Sequence, residues 1–204
     1  PTINFLLSKN AKIIIISHVG RPKGEFISEL SLQPIRDNLA SQFKENVKLE
    51  KTNIFNLKKS DLFQDEDDKI IILENIRFYP EEENNNEKFS EHLAKLGDIY
   101  VNDAFSCSHR EHASVTSITK FIPSFSGLQI NSEVKALKKL TTEIKKPITC
   151  IIGGSKISTK IDILKNLIPK FDNIVIVGAM ANNILKHKGN NIGVSLFEKN
   201  SEKI

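Results

Sequence analysis

The sequence contains no tryptophan, one methionine and only two cysteines among 204 residues. Two distant thiols, Cys107 and Cys150, are too few for a disulfide framework and fit a reducing cytoplasm, each reading as a small buried side chain. The longest apolar runs, residues 13–16 and 174–177, fall far short of the ~20 residues of a membrane-spanning helix. The opening Pro1-Thr2-Ile3-Asn4 lacks the basic and apolar segments of a secretory signal, and a start on Pro rather than Met reads as a fragment or processed product. Two phosphate-binding fingerprints are also missing. Neither Gly-x4-Gly-Lys-Ser/Thr nor Gly-x-Gly-x-x-Gly occurs, which disfavours ordinary P-loop and dinucleotide-binding readings.

Arginine is scarce as well. Of 29 basic residues only Arg21, Arg36, Arg77 and Arg110 are arginines. Where lysine is the default cation, a retained arginine points to a place that needs a planar, bidentate fork. The net charge of +4 alone admits a nucleic-acid partner. Against it, the lysines are spread over helical patterns without interleaved aromatics. What is present suffices for a core: 39% hydrophobic and 26% charged residues describe a folded chain, one large domain or two small ones.

Apolar, β-branched runs recur at residues 12–17, 69–73, 98–102, 147–152 and 173–177. Their continuous hydrophobicity predicts strands buried on both faces, as in parallel sheets. Helical spacing separates them. Leu32, Ile35, Leu39 and Phe43 follow Ser31, a fair N-cap, and Arg36 reads as solvent-facing on that helix. Phe89, Leu93 and Leu96 precede Gly97, which suits a left-handed C-cap. A lysine-rich helix spans residues 131–146 after an interruption at 121–127, and Ile161, Leu164 and Ile168 form a helix opened by Ser158. Residues 65–68 and 81–86 read as polar surface loops. The alternation predicts an α/β fold of doubly wound parallel sheets.

Ligands of such sheets lie beyond the carboxyl ends of the strands. There the sequence places Ser17-His18-Val19-Gly20-Arg21-Pro22-Lys23-Gly24, then Glu74-Asn75-Ile76-Arg77-Phe78, then Asn102-Asp103-Ala104-Phe105-Ser106-Cys107-Ser108-His109-Arg110-Glu111-His112, then Gly153-Gly154-Ser155-Lys156-Ile157-Ser158-Thr159-Lys160. Three of the four arginines thus sit on one predicted rim, and convergent positive charge calls for an anion. Each piece alone also admits a bland reading: a surface ion pair, or a tight Gly-Gly turn beside an exposed lysine. His109 and His112 have turn-related spacing, but no acidic or thiol cluster completes a metal site. Gly153-Gly154 lets backbone approach a phosphate, with Lys156 and Lys160 as i, i+4 neighbours if the helix begins early enough.

Taken in order, these segments resemble the phosphoglycerate kinase family. Ser17 to Pro22 is similar to its Ser-His-Leu-Gly-Arg-Pro, Leu73 to Phe78 to Leu-Glu-Asn-x-Arg-Phe, and Asn102 to Ser114 to Asn-Asp-Ala-Phe-x-x-x-His-Arg-x-His-Ala-Ser. Gly153 to Ile161 resembles Gly-Gly-Ala-Lys-x-x-x-Lys-Ile, and Gly178-Ala179-Met180-Ala181-Asn182 resembles Gly-Gly-Met-Ala-Asn. The resemblance implies two Rossmann-like lobes joined by a helix: residues 1–127 a phosphoglycerate-binding lobe, 128–146 the interdomain helix, and 147–204 the start of a nucleotide-binding lobe. It implies reversible phosphoryl transfer between 1,3-bisphosphoglycerate and ADP, with Mg2+ accompanying ATP/ADP, in a cytoplasmic, monomeric full-length protein that needs neither nucleic acid nor membrane.

Carried over by position, the resemblance assigns His18, Arg21, Arg77, His109, Arg110 and His112 to the phosphoglycerate. Gly153, Gly154, Lys156, Lys160, Gly178 and Ala179 go to the nucleotide, and Arg21, Lys156 and Lys160 to the transfer itself. No residue is assigned to the metal. The family's first strand, bearing Arg-x-Asp-x-Asn, and its later nucleotide contacts have no counterpart in this sequence. Both lobes are therefore expected to be truncated, and the chain alone to be inactive. A noncatalytic anion-binding or interaction fragment is the alternative. Ser106 and Ala179 stand where the family usually has glycine.

Overall fold

A computed structural model describes residues 1–142 and 144–199. The chain divides into two compact units, Pro1–Val134 and a second from Lys135 onward.

In the first unit, α1 (Thr2–Ser8) leads to β1 (Ile13–Ile15), α2 (Gln33–Gln42), β2 (Asn46–Glu50) and β3 (Asp68–Leu73). These strands form a parallel sheet in the order β1-β3-β2. β3 is central and almost wholly buried, as its continuous run Ile70 to Leu73 predicts. Alternation sends Ile70 and Ile72 to one side, with Leu32 and Leu39 at α2, and Ile71 and Leu73 to the other. On that second side lies α4 (Glu87–Ala94), entered through the short α3 (Pro80–Glu83), with Phe89 and Leu93 in the core. Burying one such aromatic contributes about 1.5–3 kcal/mol.

β4 (Tyr100–Asn102) pairs in parallel with β5 (Ser124–Ser126), and α5 (Leu128–Thr141) begins just beyond. Among the described residues β1 pairs only with β3 and β4 only with β5. Between them lies a cavity of about 680 Å³. Residues 13–16 and 99–104 border it consecutively, as the edge of a strand does and a face does not.

The second unit carries the parallel pair β6 (Thr149–Gly153) and β7 (Asn173–Val177), with α6 (Ile161–Leu167) between them in sequence and α7 (Ala179–His187) packed on both strands. Here the expectation of strands buried on both faces fails. Alternate residues are exposed along both, Ile151 at 71%. The described helices cover one side only.

Other local expectations change for identifiable reasons. Gly97 is not left-handed; α4 ends at Ala94 with Lys95 in right-handed geometry. Ser31 contributes to the start of α2, its Oγ accepting from Gln33 N, but the assigned cap is Leu32. The lysine-rich helix runs over Leu128–Thr141 rather than 131–146. Residues 65–68 and 81–86 are not simply surface loops. Asp68 opens β3 at 2% exposure and takes Lys48 Nζ at 2.7 Å, and Glu82 lies in α3 at 2% exposure. Opposite charge or hydrogen-bond donors must meet each buried carboxylate, and they do.

Candidate functional site

In the first unit the site is built at the carboxyl ends of β1, β3 and β4. After β3, Asn75 is fully buried and its Nδ2 donates to Val19 O at 2.9 Å and Leu30 O at 2.8 Å, tying the 17–24 loop to this strand end. Asn75 Oδ1 accepts from Arg77 N at 3.1 Å, fixing a single 3-10 turn over Ile76–Phe78. Glu74 takes Leu32 N, Ser31 Oγ and Asn75 N. Burial alone raises its pKa, but those three donors outweigh it and hold the carboxylate below its ordinary range.

The turn aims Arg77 inward. Its side chain is 3% exposed, and Nη1 donates to Gly20 O at 2.9 Å. That carbonyl is available because Gly20 takes a φ of +68° with Leu30 packed where a Cβ would stand. Glu83 Oε1 stands 3.5 Å from Arg77 Nε, within ion-pair range but without hydrogen-bond geometry. Among the described residues, Arg77 Nε and Nη2 and Arg110 Nε are buried with no hydrogen-bond partner, and so is Arg36 Nε on α2, away from this cluster. Buried guanidinium nitrogens without hydrogen bonds are costly; at Arg77 and Arg110, which lie together at the strand ends, an anionic ligand would supply the missing acceptors.

His18 completes the cluster. Its pKa is lowered, by burial first and then by the charges of Arg77, Arg110 and His112, with Glu83 opposing. The structure thus brings Arg77, Arg110 and His112 close enough to act on His18, an electropositive cluster at the strand ends. Arg21 and His109 are exposed on the bordering loops and are not among the groups acting on His18. Arg36 stands apart on α2, half-buried rather than solvent-facing, with Nη2 3.1 Å from Asp37. Ser106 lies in a 3-10 turn over Phe105–Cys107 and does not take a positive φ, so glycine is not needed there.

The second unit presents a different kind of site. Gly153 ends β6, and a Cβ there would lie 2.8 Å from Val177 Cγ2. Beside Gly154 run Lys160 Cε and Met180 Sδ, each 3.2 Å from where its Cβ would be. Gly178 takes φ +67° and opens α7, and Gly154 O accepts from Met180 N at 3.1 Å. Ala179 is the first helical residue, where no glycine is required. Lys156 precedes the helix: a 3-10 turn over Ser158–Lys160 leads into α6, so the i, i+4 relation between Lys156 and Lys160 is not formed. Glu198 receives Ser158 Oγ and Ser158 N, which hold its pKa low. Among the described residues no three His, Cys, Asp or Glu side chains are grouped to hold a metal ion. No described helix is long and apolar enough to cross a membrane.

Residue reading overlooked Glu82 and Glu83. Pro80 followed by three glutamates is the composition of a helix first turn, which gives the local structure but not the role of either carboxylate.

Comparison with known proteins agrees with this architecture. The family model described as phosphoglycerate kinase matches residues 1–204. Phosphoglycerate kinases of Bartonella bacilliformis and Wolbachia pipientis are 45% and 47% identical, each over 97% of this chain and 49% and 50% of their own lengths. The solved phosphoglycerate kinase of Coxiella burnetii superimposes with a TM-score of 0.82 at 35% identity, over 100% of this chain and 51% of that one. The chain spans about half the length of the curated relatives it matches. With a match along its whole length and a shared Rossmann-like α/β architecture, this chain belongs to the phosphoglycerate kinase family.

Proposed function

We propose that the whole protein transfers a phosphoryl group reversibly between 1,3-bisphosphoglycerate and ADP, giving 3-phosphoglycerate and ATP, and that this chain supplies the acid-substrate site and the start of the nucleotide site. The observation that carries the proposal is Arg77, buried with two nitrogens that make no hydrogen bond, near His18 and Arg110. Membership of the phosphoglycerate kinase family supports phosphoglycerate as the anion.

The chemistry asks little of acid–base groups. In the direction of ATP formation, the bond between the acyl oxygen and phosphorus breaks as a bond from the ADP β-phosphate oxygen forms, and the carboxylate leaves already ionised. Neither oxygen needs a general base, so Ser17, Cys107 and Ser108 need not act as nucleophiles. What remains is to hold two anions in line and stabilise charge on the transferred group. Arg77, Arg110, His18 and His112 position the phosphoglycerate, with Arg21 and His109 at the loop rims. The Gly153-Gly154 turn, the start of α7 at Gly178 and Ala179, and the amines of Lys156 and Lys160 meet the nucleotide phosphates, Arg21, Lys156 and Lys160 acting in the transfer.

Side chains at Gly153 or Gly154 would collide with Val177 or Met180, so glycine is needed there for packing of β6 against β7 and α7, and the exposed backbone of the turn is what a phosphate would meet. Mg2+ would arrive with the nucleotide and neutralise phosphate charge when bound; it commonly keeps waters and phosphate oxygens as ligands, so it requires no cage from this chain. We further propose that the cavity between the unpaired edges of β1 and β4 receives the family's Arg-x-Asp-x-Asn strand from the remainder of the protein.

The test is a coupled assay of the full-length protein and of the 204-residue chain. ATP formation by the former and none by the latter is expected. Absence of turnover by the full-length protein overturns the assignment. Titration of the chain with 3-phosphoglycerate, followed through the His18 resonances, reports whether the anion site works without catalysis.

A further inference from the structure

The segment after β3 holds both loops of the anion site, one on each side. Arg77 grips the 17–24 loop through Gly20 O, and Gly24 N returns a bond to Arg77 O at 3.2 Å. Five residues on, Glu82 grips the 109–114 loop. Its Oε1 accepts from Ser114 Oγ at 2.7 Å, its Oε2 from Ser114 N at 2.9 Å, and its backbone carbonyl from Ala113 N at 2.9 Å. Oε1 is also 3.5 Å from His112 Nδ1. A carboxylate at 2% exposure is retained against its desolvation only when donors surround it, and here every donor comes from the loop bearing His109, Arg110 and His112.

We propose that Glu82 is a positioning residue for the anion site: it fixes the place of the 109–114 loop relative to Arg77 and selects which ring nitrogen of His112 carries the proton. The inference rests on the phosphoglycerate reading above and deepens it. Two carboxylate oxygens accept from Ser114, and the charge of the one 3.5 Å from His112 Nδ1, within ion-pair range but without hydrogen-bond geometry, favours an Nδ1–H electrostatically. An amide in the same shape behaves differently. Its oxygen must take Ser114 N–H, which leaves its NH2 facing Ser114 Oγ and His112 Nδ1. The hydroxyl turns to accept, and the imidazole is driven to the Nε2–H form. The fold is kept while the site is reset.

The experiment compares full-length protein carrying Glu82→Gln, Ser114→Ala or the surface control Glu87→Gln with the unsubstituted protein. Readouts are KM for 3-phosphoglycerate, KM for ATP and the 15N shifts of His112. Glu82→Gln is expected to raise KM for 3-phosphoglycerate roughly 10-fold, the scale of a misplaced binding group, with KM for ATP unchanged and the His112 proton moved from Nδ1 to Nε2. Glu87→Gln changes none of these. A residue that merely stabilised the fold would alter both KM values together and leave the tautomer alone; that result, or wild-type kinetics in Glu82→Gln, overturns the proposal. If Glu82→Gln does not fold, Ser114→Ala and the unsubstituted protein decide. An unchanged KM in Ser114→Ala, or His112 already protonated at Nε2 without substitution, is equally fatal. If the unsubstituted protein shows no saturation with 3-phosphoglycerate, the site assignment itself fails, and the Glu82 inference falls with it.

Discussion

The two proposed anion sites are built in opposite ways. In the first, cations are withdrawn from water before any ligand arrives: Arg77 is buried, two of its nitrogens make no hydrogen bond, and three positive groups depress His18. In the second, Gly153 and Gly154 leave backbone bare in a turn packed against Val177 and Met180, Gly178 opens α7 at positive φ, and Lys156 stays in solvent. A buried arginine fork is rigid and selective for the oxygens that fit it, and its desolvation is met in folding. A glycine turn flanked by an exposed Lys156 and a half-buried Lys160 places fewer fixed donors, which tolerates a phosphate that must move. The contrast suits a substrate that is held and a group that is transferred.

The sharpest way to break that contrast is Arg77→Ala. Losing two charge-assisted hydrogen bonds at ~1.5 kcal/mol each weakens 3-phosphoglycerate binding about 100-fold. Leaving Gly20 O and the Glu83 carboxylate without their partner destabilises the unit by about 1–3 kcal/mol. Calorimetric titration and thermal unfolding check both, and Arg77→Lys should recover only part of the affinity. If Arg77→Ala binds normally, the buried fork is not the anion site.

Next in size is Gly153→Ala. The added methyl meets Val177 Cγ2 at 2.8 Å, an overpacking worth about 1–3 kcal/mol. Nucleotide binding weakens while 3-phosphoglycerate binding is unchanged, which equilibrium titrations with each ligand verify.

A smaller effect comes from pH. Because the His18 pKa lies below 6.5 in the folded state, the unfolded chain takes up the proton first as pH falls. The His18 contribution is therefore complete above pH 6.5 and is lost as the pH drops below 6.5 towards the folded value. An anion beside His18 reverses the preference and raises its pKa, measurable by NMR titration with and without 3-phosphoglycerate. A lowered pKa in the complex would contradict anion binding there.

Least of all for stability is Lys156→Ala. An exposed lysine outside any helix changes unfolding free energy by no more than ~0.5 kcal/mol. Nucleotide affinity should fall nonetheless, and equal loss of stability and affinity would mean that Lys156 is structural.

Much of this was written in the sequence. The run of residues 69–73 announces a central strand because both its faces are buried, and 173–177 is found as Asn173–Val177. β2 was missed because Asn46–Glu50 alternates polar and apolar residues at a sheet edge, its Lys48 held by Asp68 from the neighbouring strand. β5 was missed because Ser124–Ser126, between Pro123 and Gly127, looks like an interruption; only β4 gives it a partner. For the site, the strand-end positions of His18, Arg77 and Arg110 were legible from local pattern and scarcity of arginine. Glu82 was not. An acidic run looks solvated until tertiary structure brings Ser114 across 32 residues. Carboxylates enclosed by distant donors leave no local trace.

The slot between β1 and β4 also has a clock attached. Along β3, paired on both sides, amide protons are expected to be the slowest to exchange, needing the most extensive opening of the unit. Along β1 and β4, among the described residues, the amides that point into the slot have no strand to protect them, and they are expected to exchange through local fluctuation. A strand arriving there would silence both edges at once, and hydrogen exchange at residues 13–15 and 100–102 would slow together.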